Sequence, residues 1–454
     1  MHIHILGICG TFMGGLALIA RSAGHKVTGC DVGVYPPMST QLEEQGIELI
    51  EGFGIEQLEL KPDLFIIGNV VTRGNPLMEA ILEQNLPYTS GPQWLGKHIL
   101  SQQHVIAVAG THGKTTTSSM VAWILEYAGL KPNFLIGGIA SDLGVSARFS
   151  PTQKHFVIEA DEYDTAFFDK RSKFVHYHGR TVVLNNLEYD HADIFPDLKA
   201  IETQFHHMVR IIPQSGLVIT PHDDEALARV IARGIWSRQA HIGSTGEWQC
   251  GTRDTAGQTF EVIYQNQVLG TIHWPHTGTH NINNALAAIA ATNDVGVSPS
   301  TAIDALCHFK GVRRRMELRG EIHQICVYDD FAHHPTAIAT TLDGLRKRVG
   351  FARIIAVLEP RSNTMKLGTM ATRLPEALRQ ADIAFCYGET HGKHALGWNP
   401  EEIFGKDADK IKVFHDHEQL KQAIVQIAQP GDHIIVMSNG SFGGLHSKLL
   451  EALR

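Results

Sequence analysis

The chain alternates short runs of β-branched and aliphatic residues with longer stretches whose apolar positions recur every three to four residues. Repeated from end to end, that alternation predicts parallel sheets covered by helices. The first block opens with a strand in "IHILGI", a glycine turn, a helix to about Ala23 and a second strand, "KVTGCD", ending at Asp31. Further strands are predicted at 63–69 and in "PYTSG", and the polar stretch 96–104 reads as a linker. A second block begins with the strand "VIAVAG", a glycine-rich loop and a helix from about Lys114. Strands in "KHFVIEAD" and "TVVLNNLE", a β-rich section "TFEVIYQNQVLGTIHW" and the helix "NINNALAAIAATNDV" follow. The cluster "GVRRRMELRG" (311–320) reads as a hinge into a third block, where "QICVYDDF", "ARIIAVLEP", "ADIAFCYG" and "DHIIVMSNG" alternate with helices. The expected fold is α/β in three domains: a Rossmann-like unit over 1–102, a central P-loop ATPase-like unit over 103–319 and a Rossmann-like unit over 320–454.

Composition narrows the class. A chain of 454 residues, 43% apolar and 19% charged, has the make-up of a soluble globular protein. Its net charge of -8 argues against a general nucleic-acid binder, which carries a basic face. Its 6 cysteines (9, 30, 250, 307, 326 and 386) include no C-x-x-C pair, which suits free thiols in a reducing compartment. There is no basic, apolar leader at the start and no run of about 18 apolar residues, so the expected location is cytoplasmic, without membrane insertion.

The loop "GTHGKTT" (110–116) sets backbone N–H groups at a helix N-terminus, which favours a phosphate through those donors and the positive end of the helix dipole. It is shorter than the G-x-x-x-x-G-K-[ST] loop: position 108 is Val108, and only Gly110, Thr111 and His112 precede Gly113, Lys114 and Thr115. On this pattern Lys114 reaches the β- and γ-phosphates and the Thr115 hydroxyl sits on Mg²⁺. The plainer alternative is a glycine turn with a surface lysine; the strand before, the helix behind and the tandem Lys-Thr-Thr weigh against it. Two acidic clusters follow: Glu159 with Asp161, Glu162 and Asp164, then Asp190, His191 and Asp193. Neighbouring parallel strands converge at their C-terminal ends, and hard cations take carboxylates, which makes Glu159 a candidate ligand beside Thr115. His191, one of 27 histidines, reads by itself more readily as structural. Asn281 either caps a helix or faces an adenine edge. Arg313, Arg314 and Arg315 are either a solvated hinge or a source of positive charge beside a phosphoryl group. In "GICGTFMGG", Gly7, Gly10, Gly14 and Gly15 precede Asp31 in an imperfect dinucleotide fingerprint, which does not separate NAD from a UDP-sugar.

Taken in order, "GTHGKTT", "EADE" (159–162), "NNLEYDHAD" (185–193), "GTHNINNALAA" (278–288), "GVRRR" (311–315) and "DDFAHHPTAI" (329–338) resemble the Mur ligase family over essentially the whole chain. The short P-loop is that family's hallmark. The runs "LGICGTFMGGLA", "YPPMSTQLEEQGIEL", "FFDKRSKFVHY" and "AVLEPRSNTMK" are similar to the branch that joins a peptide to UDP-N-acetylmuramate. The resemblance implies an ATP-dependent amide ligase of peptidoglycan recycling. ATP would phosphorylate the lactyl carboxylate of UDP-N-acetylmuramate to an acyl phosphate, which the amine of the murein tripeptide L-alanyl-γ-D-glutamyl-meso-diaminopimelate attacks. The alternative acceptor is L-alanine, in de novo synthesis.

By the same resemblance, Thr115 and Glu159 hold one Mg²⁺ and Glu159 with His191 another. Lys114 and Arg315 meet the phosphates, and His333 joins the catalytic group. Gly110, Thr111, His112, Gly113, Lys114, Thr115 and Thr116 would hold ATP together with Asn281, Asn284, Arg315 and Asp330. Gly10 and Thr11 would hold the UDP-sugar, with Asp31, Asn69 and Arg73 as further candidates, and Arg361, Asn363, Ser438 and Asn439 the peptide. Several sister ligases carry a carbamylated lysine after the metal histidine; no lysine lies at that distance, near His206, although Lys199 lies nearer. The expected assembly is a monomer or weak homo-oligomer.

Overall fold

The structure, a computed structural model, describes residues 1–34, 38–392 and 394–454. The run beginning "YPP" starts on Tyr35, Pro36 and Pro37, which lie outside the described residues.

Three large sheets follow one another along the described residues, and a two-stranded antiparallel ribbon, Asp164–Ala166 with Asp169–Ser172, is inserted between strands of the second. The first has five parallel strands in spatial order Glu48–Glu51, Lys26–Asp31, His2–Leu6, Leu64–Ile67, Tyr88–Ser90. Ile3, Ile5, Leu6, Phe65, Ile66 and Ile67 are buried, as a parallel sheet covered on both faces requires. The strand order reverses beside His2–Leu6, and the helix Thr11–Ser22 starts at that crevice.

The middle sheet has ten strands. At its centre His104–Ala109 lies between Thr181–Leu184 and His155–Glu159, all parallel. Their C-terminal ends therefore deliver Gly110, Asn185 and Glu159 to one edge of the sheet. The β-rich section is an antiparallel extension of the same sheet, Trp248–Arg253, Thr259–Tyr264 and Gln267–His273. The segment 96–104 is not a plain linker. Its first residues end the helix Gly91–His98, which starts on a Ser90 cap accepting from Gln93 N–H with Pro92 in the first turn. Trp94 and Leu95 of that helix share one apolar cluster with Val105, Phe156 and Phe174, so the first and middle units are packed on each other.

The third sheet runs Glu317–Ile322, Ile325–Asp330, His433–Met437, Ile354–Leu358, Ile383–Tyr387, Ile411–Phe414. Its first strand pairs antiparallel with the second across the left-handed turn residues His323 and Gln324, and all other pairs are parallel. The expected break at 319/320 therefore falls inside a strand of the third sheet, which begins at Glu317 because that hairpin must close. No helix among the described residues is long and apolar enough to cross a membrane.

Candidate active site

The loop after His104–Ala109 is held in shape by its neighbours. Gly110 (φ 133°) and Gly113 (φ 79°) take conformations that favour glycine. Thr111 N–H donates to the Asn186 carbonyl (3.1 Å), His112 N–H to Asn186 Oδ1 (2.8 Å), and Asn186 Nδ2 back to the His112 carbonyl (3.0 Å). Glu188 N–H donates to the Thr111 hydroxyl at 2.8 Å. The front half of the loop is thus bound to residues 186–188, and the Thr111 and His112 amides are spent there. The N–H groups of Gly113, Lys114, Thr115 and Thr116 have no backbone acceptor; the first that does is Thr117, on the Gly113 carbonyl (2.9 Å). Those four donors stand unpaired by backbone at the start of the helix Lys114–Tyr127, an arrangement suited to cradling a phosphate.

Behind the cradle lies a network of acids and cations. Lys114 Nζ donates to both oxygens of Glu162 (2.8 and 3.1 Å) and to the Gly110 carbonyl (2.7 Å), with Asp161 at 4.0 Å. Burial works against its charge, but Glu162 and Asp161 outweigh that and raise its pKa. The Thr115 hydroxyl donates to Glu159 Oε1 at 2.9 Å, and Glu159 Oε2 accepts from Gly137 N–H at 2.7 Å. His191 meets Glu162 rather than Glu159, Nε2 to Oε1 at 3.0 Å. Burial pushes this imidazole down, yet the hydrogen bond and charge of Glu162, with Asp190 and Asp161, carry its pKa up to about 9. Lys173 Nζ donates to Asp161 at 2.9 Å. Burial opposes the Asp161 charge, but Lys173, Lys114 and His191 hold its carboxyl far below the usual range.

The donor chemistry suits a hard divalent cation: carboxylates, a threonine hydroxyl and one imidazole. Asp161, Glu162 and His191 bring one ligand atom each within 4.8 Å of one another. Lys199 is exposed on the helix Leu198–Val209 and does not line this cavity. A second group, His112, Glu188 and His334, is built as a joint instead: Glu188 accepts from the Thr336 hydroxyl (2.7 Å), and the His334 nitrogens face the Tyr189 carbonyl and Thr336 N–H.

A cavity of about 1060 Å³ opens over the loop and is lined from all three units, by Thr11 and Phe12, by the loop and acids, and by Phe331 and His333. Arg315 lines it, with Nη2 3.4 Å from the Thr115 hydroxyl and its guanidinium over the Phe331 ring. Asn281 and Asn284 sit on the first turns of the helix Thr279–Asp294, and Asn284 packs on Gly113. The buried Asp330 accepts from Met316 N–H (2.7 Å) and Ala332 N–H (2.8 Å). His333 Nδ1 lies 2.9 Å from the Phe331 carbonyl. A carbonyl only accepts, so Nδ1 carries the proton and Nε2 is a lone pair. Burial lowers the His333 pKa to about 4, which keeps the ring neutral.

A smaller cavity of about 360 Å³ adjoins the first and shares Asp190, His191, His333 and Asn439 with it. Arg361 and Asn363 line it, and Asn439 Oδ1 is buried there with no donor. Ser438 lines neither cavity; its hydroxyl donates to Glu359, which in turn contacts Arg361 (3.4 Å). Of the first-unit candidates, Thr11 faces the large cavity. Gly10 precedes the helix there, Asp31 accepts from Cys9 N–H and Val32 N–H, Asn69 is exposed, and Arg73 is exposed and paired with Glu79 at 2.9 Å. Sequence reasoning missed the roles of Glu162, Lys173 and Asn186. All three stood inside quoted motifs, but spacing alone does not say which of several adjacent polar residues turns inward.

Three α/β units around a P-loop cavity, with a second cavity opening off it, define a P-loop α/β enzyme with its candidate site between domains. Residues 2–103 match the Mur ligase family catalytic domain, 108–292 the Mur ligase middle domain and 314–440 the Mur ligase glutamate ligase domain. Over its full length the chain is 56% identical to the UDP-N-acetylmuramate–L-alanyl-γ-D-glutamyl-meso-2,6-diaminoheptandioate ligase of Escherichia coli (strain K12), covering 98% of that protein. It is 52% identical to the enzyme of the same name from Haemophilus influenzae, covering 100% of this chain and 99% of that one. The crystal structure of a murein peptide ligase from Psychrobacter arcticus 273-4 matches with a TM-score of 0.75 at 46% identity, over 100% of this chain and 98% of the other. The chain belongs to the Mur ligase family.

Proposed function

We propose that the protein is an ATP-dependent ligase joining UDP-N-acetylmuramate to the murein tripeptide L-alanyl-γ-D-glutamyl-meso-diaminopimelate, in the cytoplasm, as a step of peptidoglycan recycling. The observation that carries this reading is the pair of adjoining cavities, a phosphate cradle opening into an acceptor pocket. An acid must be activated in the first before an amine from the second attacks it, because a carboxylate is a poor electrophile until it has a leaving group. The full-length likeness to two proteins named for that tripeptide supports it over the free L-alanine alternative.

In this reading the N–H groups of Gly113, Lys114, Thr115 and Thr116 bind the ATP phosphates, and Lys114 and Arg315 neutralise the transferring phosphoryl group. Gly110, Thr111 and His112 keep the loop in shape. Asn281 and Asn284 face the adenine and Asp330 the ribose. Thr115, Glu159 and His191 hold Mg²⁺, joined by Glu162. When bound, Mg²⁺ spreads the charge on the phosphates and the developing acyl phosphate. The neutral His333, which lines both cavities, offers its Nε2 lone pair as a hydrogen-bond acceptor that orients the attacking amine. The first unit, 1–102, holds the UDP-sugar through Gly10 and Thr11, with Asp31, Asn69 and Arg73 at its outer edge. The middle unit, 103–316, holds ATP, and the unit from Glu317 presents the peptide through Arg361, Asn363 and Asn439, with Ser438 bracing Arg361 through Glu359.

The test is an acceptor panel. With ATP, Mg²⁺ and UDP-N-acetylmuramate, phosphate release should be fastest with the tripeptide and at least tenfold slower with L-alanine. Faster release with L-alanine would replace this reading with the alternative.

A further inference from the structure

We propose that the outer end of the smaller cavity selects a zwitterionic end group on the acceptor peptide, with Lys366 taking its carboxylate and Asp193 its ammonium. The inference rests on the peptide-ligase reading above and names the chemistry that reading leaves open.

Both residues line the cavity, from opposite sides of a domain boundary. Lys366 ends the helical turn Asn363–Lys366 of the third unit. It is half-buried, and its ammonium makes no hydrogen bond or ion pair among the described residues. Its backbone is fixed: its carbonyl accepts from Gly397 N–H (2.8 Å), and the preceding Met365 carbonyl from the Trp398 indole (2.7 Å). Asp193 belongs to the middle unit, two residues past His191. Its carboxylate accepts from the Tyr163 hydroxyl and from Asn363 Nδ2 (2.7 Å). Both donors are neutral, so its charge is solvated but not cancelled.

The two units are joined beside these charges. The Thr364 hydroxyl donates to Asp190 at 2.7 Å and accepts from Ala192 N–H at 3.1 Å. The same contacts that dock the units therefore set the spacing between the unpaired ammonium and the uncancelled carboxylate, which do not pair with each other. A ligand bearing both signs at one end bridges the half-buried Lys366 and the exposed Asp193 and cancels both charges. At the inner end lies the junction with the larger cavity, which fixes direction: the attacking amine inward, the zwitterion outward. Diaminopimelate offers an ammonium and a carboxylate on its distal carbon; a lysine in the same place offers the ammonium alone.

The experiment compares tripeptides that differ only in the third residue, meso-diaminopimelate or L-lysine, with wild type and Lys366→Met. Wild type should prefer the diaminopimelate peptide, and in Lys366→Met the ratio of kcat/KM between the two should fall about ten- to a hundredfold. Lys366→Arg should restore most of the ratio. Because a variant can fail to fold, wild type is also tested with the distal carboxylate amidated, and a similar drop is expected. An unchanged ratio in a folded Lys366→Met, or indifference of wild type to amidation, would overturn the assignment. Failure of wild type to transfer any peptide is a separate outcome and overturns the ligase reading itself.

Discussion

Gly113→Ala isolates what the short phosphate loop requires. Gly113 has φ of 79°, and a Cβ there would lie 2.7 Å from Asn284 Oδ1 and 2.8 Å from Asn185 Nδ2. Holding an L-residue in the left-handed region costs about 1–2 kcal/mol. Crowding a packed site adds about 1–3 kcal/mol, for a total of about 2–5 kcal/mol. Gly129, just past the other end of the same helix, provides the control: its φ is 77°, but nothing lies within 4 Å of its Cβ position. Gly129→Ala should therefore cost only the backbone share, about 1–2 kcal/mol. Urea unfolding of both variants, read as a shift in midpoint at unchanged slope, measures the difference. Gly113→Ala should also weaken ATP binding, because relief of the clash moves Asn284. Equal midpoints for the two variants would mean that Asn284 and Asn185 give way freely, and the picture of a loop braced from behind would fail.

Two further outcomes are expected. Lys114→Ala should lower ligation at least a thousandfold, since the group that offsets phosphoryl charge is gone, while calorimetric affinity for UDP-N-acetylmuramate stays within about twofold; a variant retaining a tenth of the activity would sink the site assignment. The pKa of His191, about 9 against an ordinary 6.5, keeps its ring charged at neutral pH without metal, and a metal ligand must be neutral. Mg²⁺ binding should thus release close to one proton per site at pH 7 and tighten as pH rises toward 9, which calorimetry in buffers of different ionisation heat measures; no proton release would remove His191 from the ligand set. The stability sign is opposite: a raised folded pKa gives a contribution fully present below about pH 6.5 and lost as pH climbs through about 9.

The cradle was legible because its signal is local: a buried strand, two glycines and a helix start stand within one short run. His191 was legible as a site residue only through resemblance, and its partner was not. Whether Glu159 or Glu162 faces it depends on how the chain turns after the strand His155–Glu159. The helix Gly91–His98 was hidden by its polar, glycine-containing end, although Ser90 and Pro92 gave its start. The hairpin Glu317–Ile322 with Ile325–Asp330 was obscured because its first strand is half exposed and charged, as an edge strand is.

The pairing of Lys114 with Glu162 also bears on the end of each catalytic cycle. A bare ammonium left largely buried beside the loop would hold on to phosphate, since departure would strand a poorly solvated charge. Here the lysine has a carboxylate 2.8 Å away to which it can return. In the proposed reaction, leaving products would thus exchange one anion for another, and release of ADP and phosphate would be a change of partner for Lys114 rather than the exposure of a lone cation.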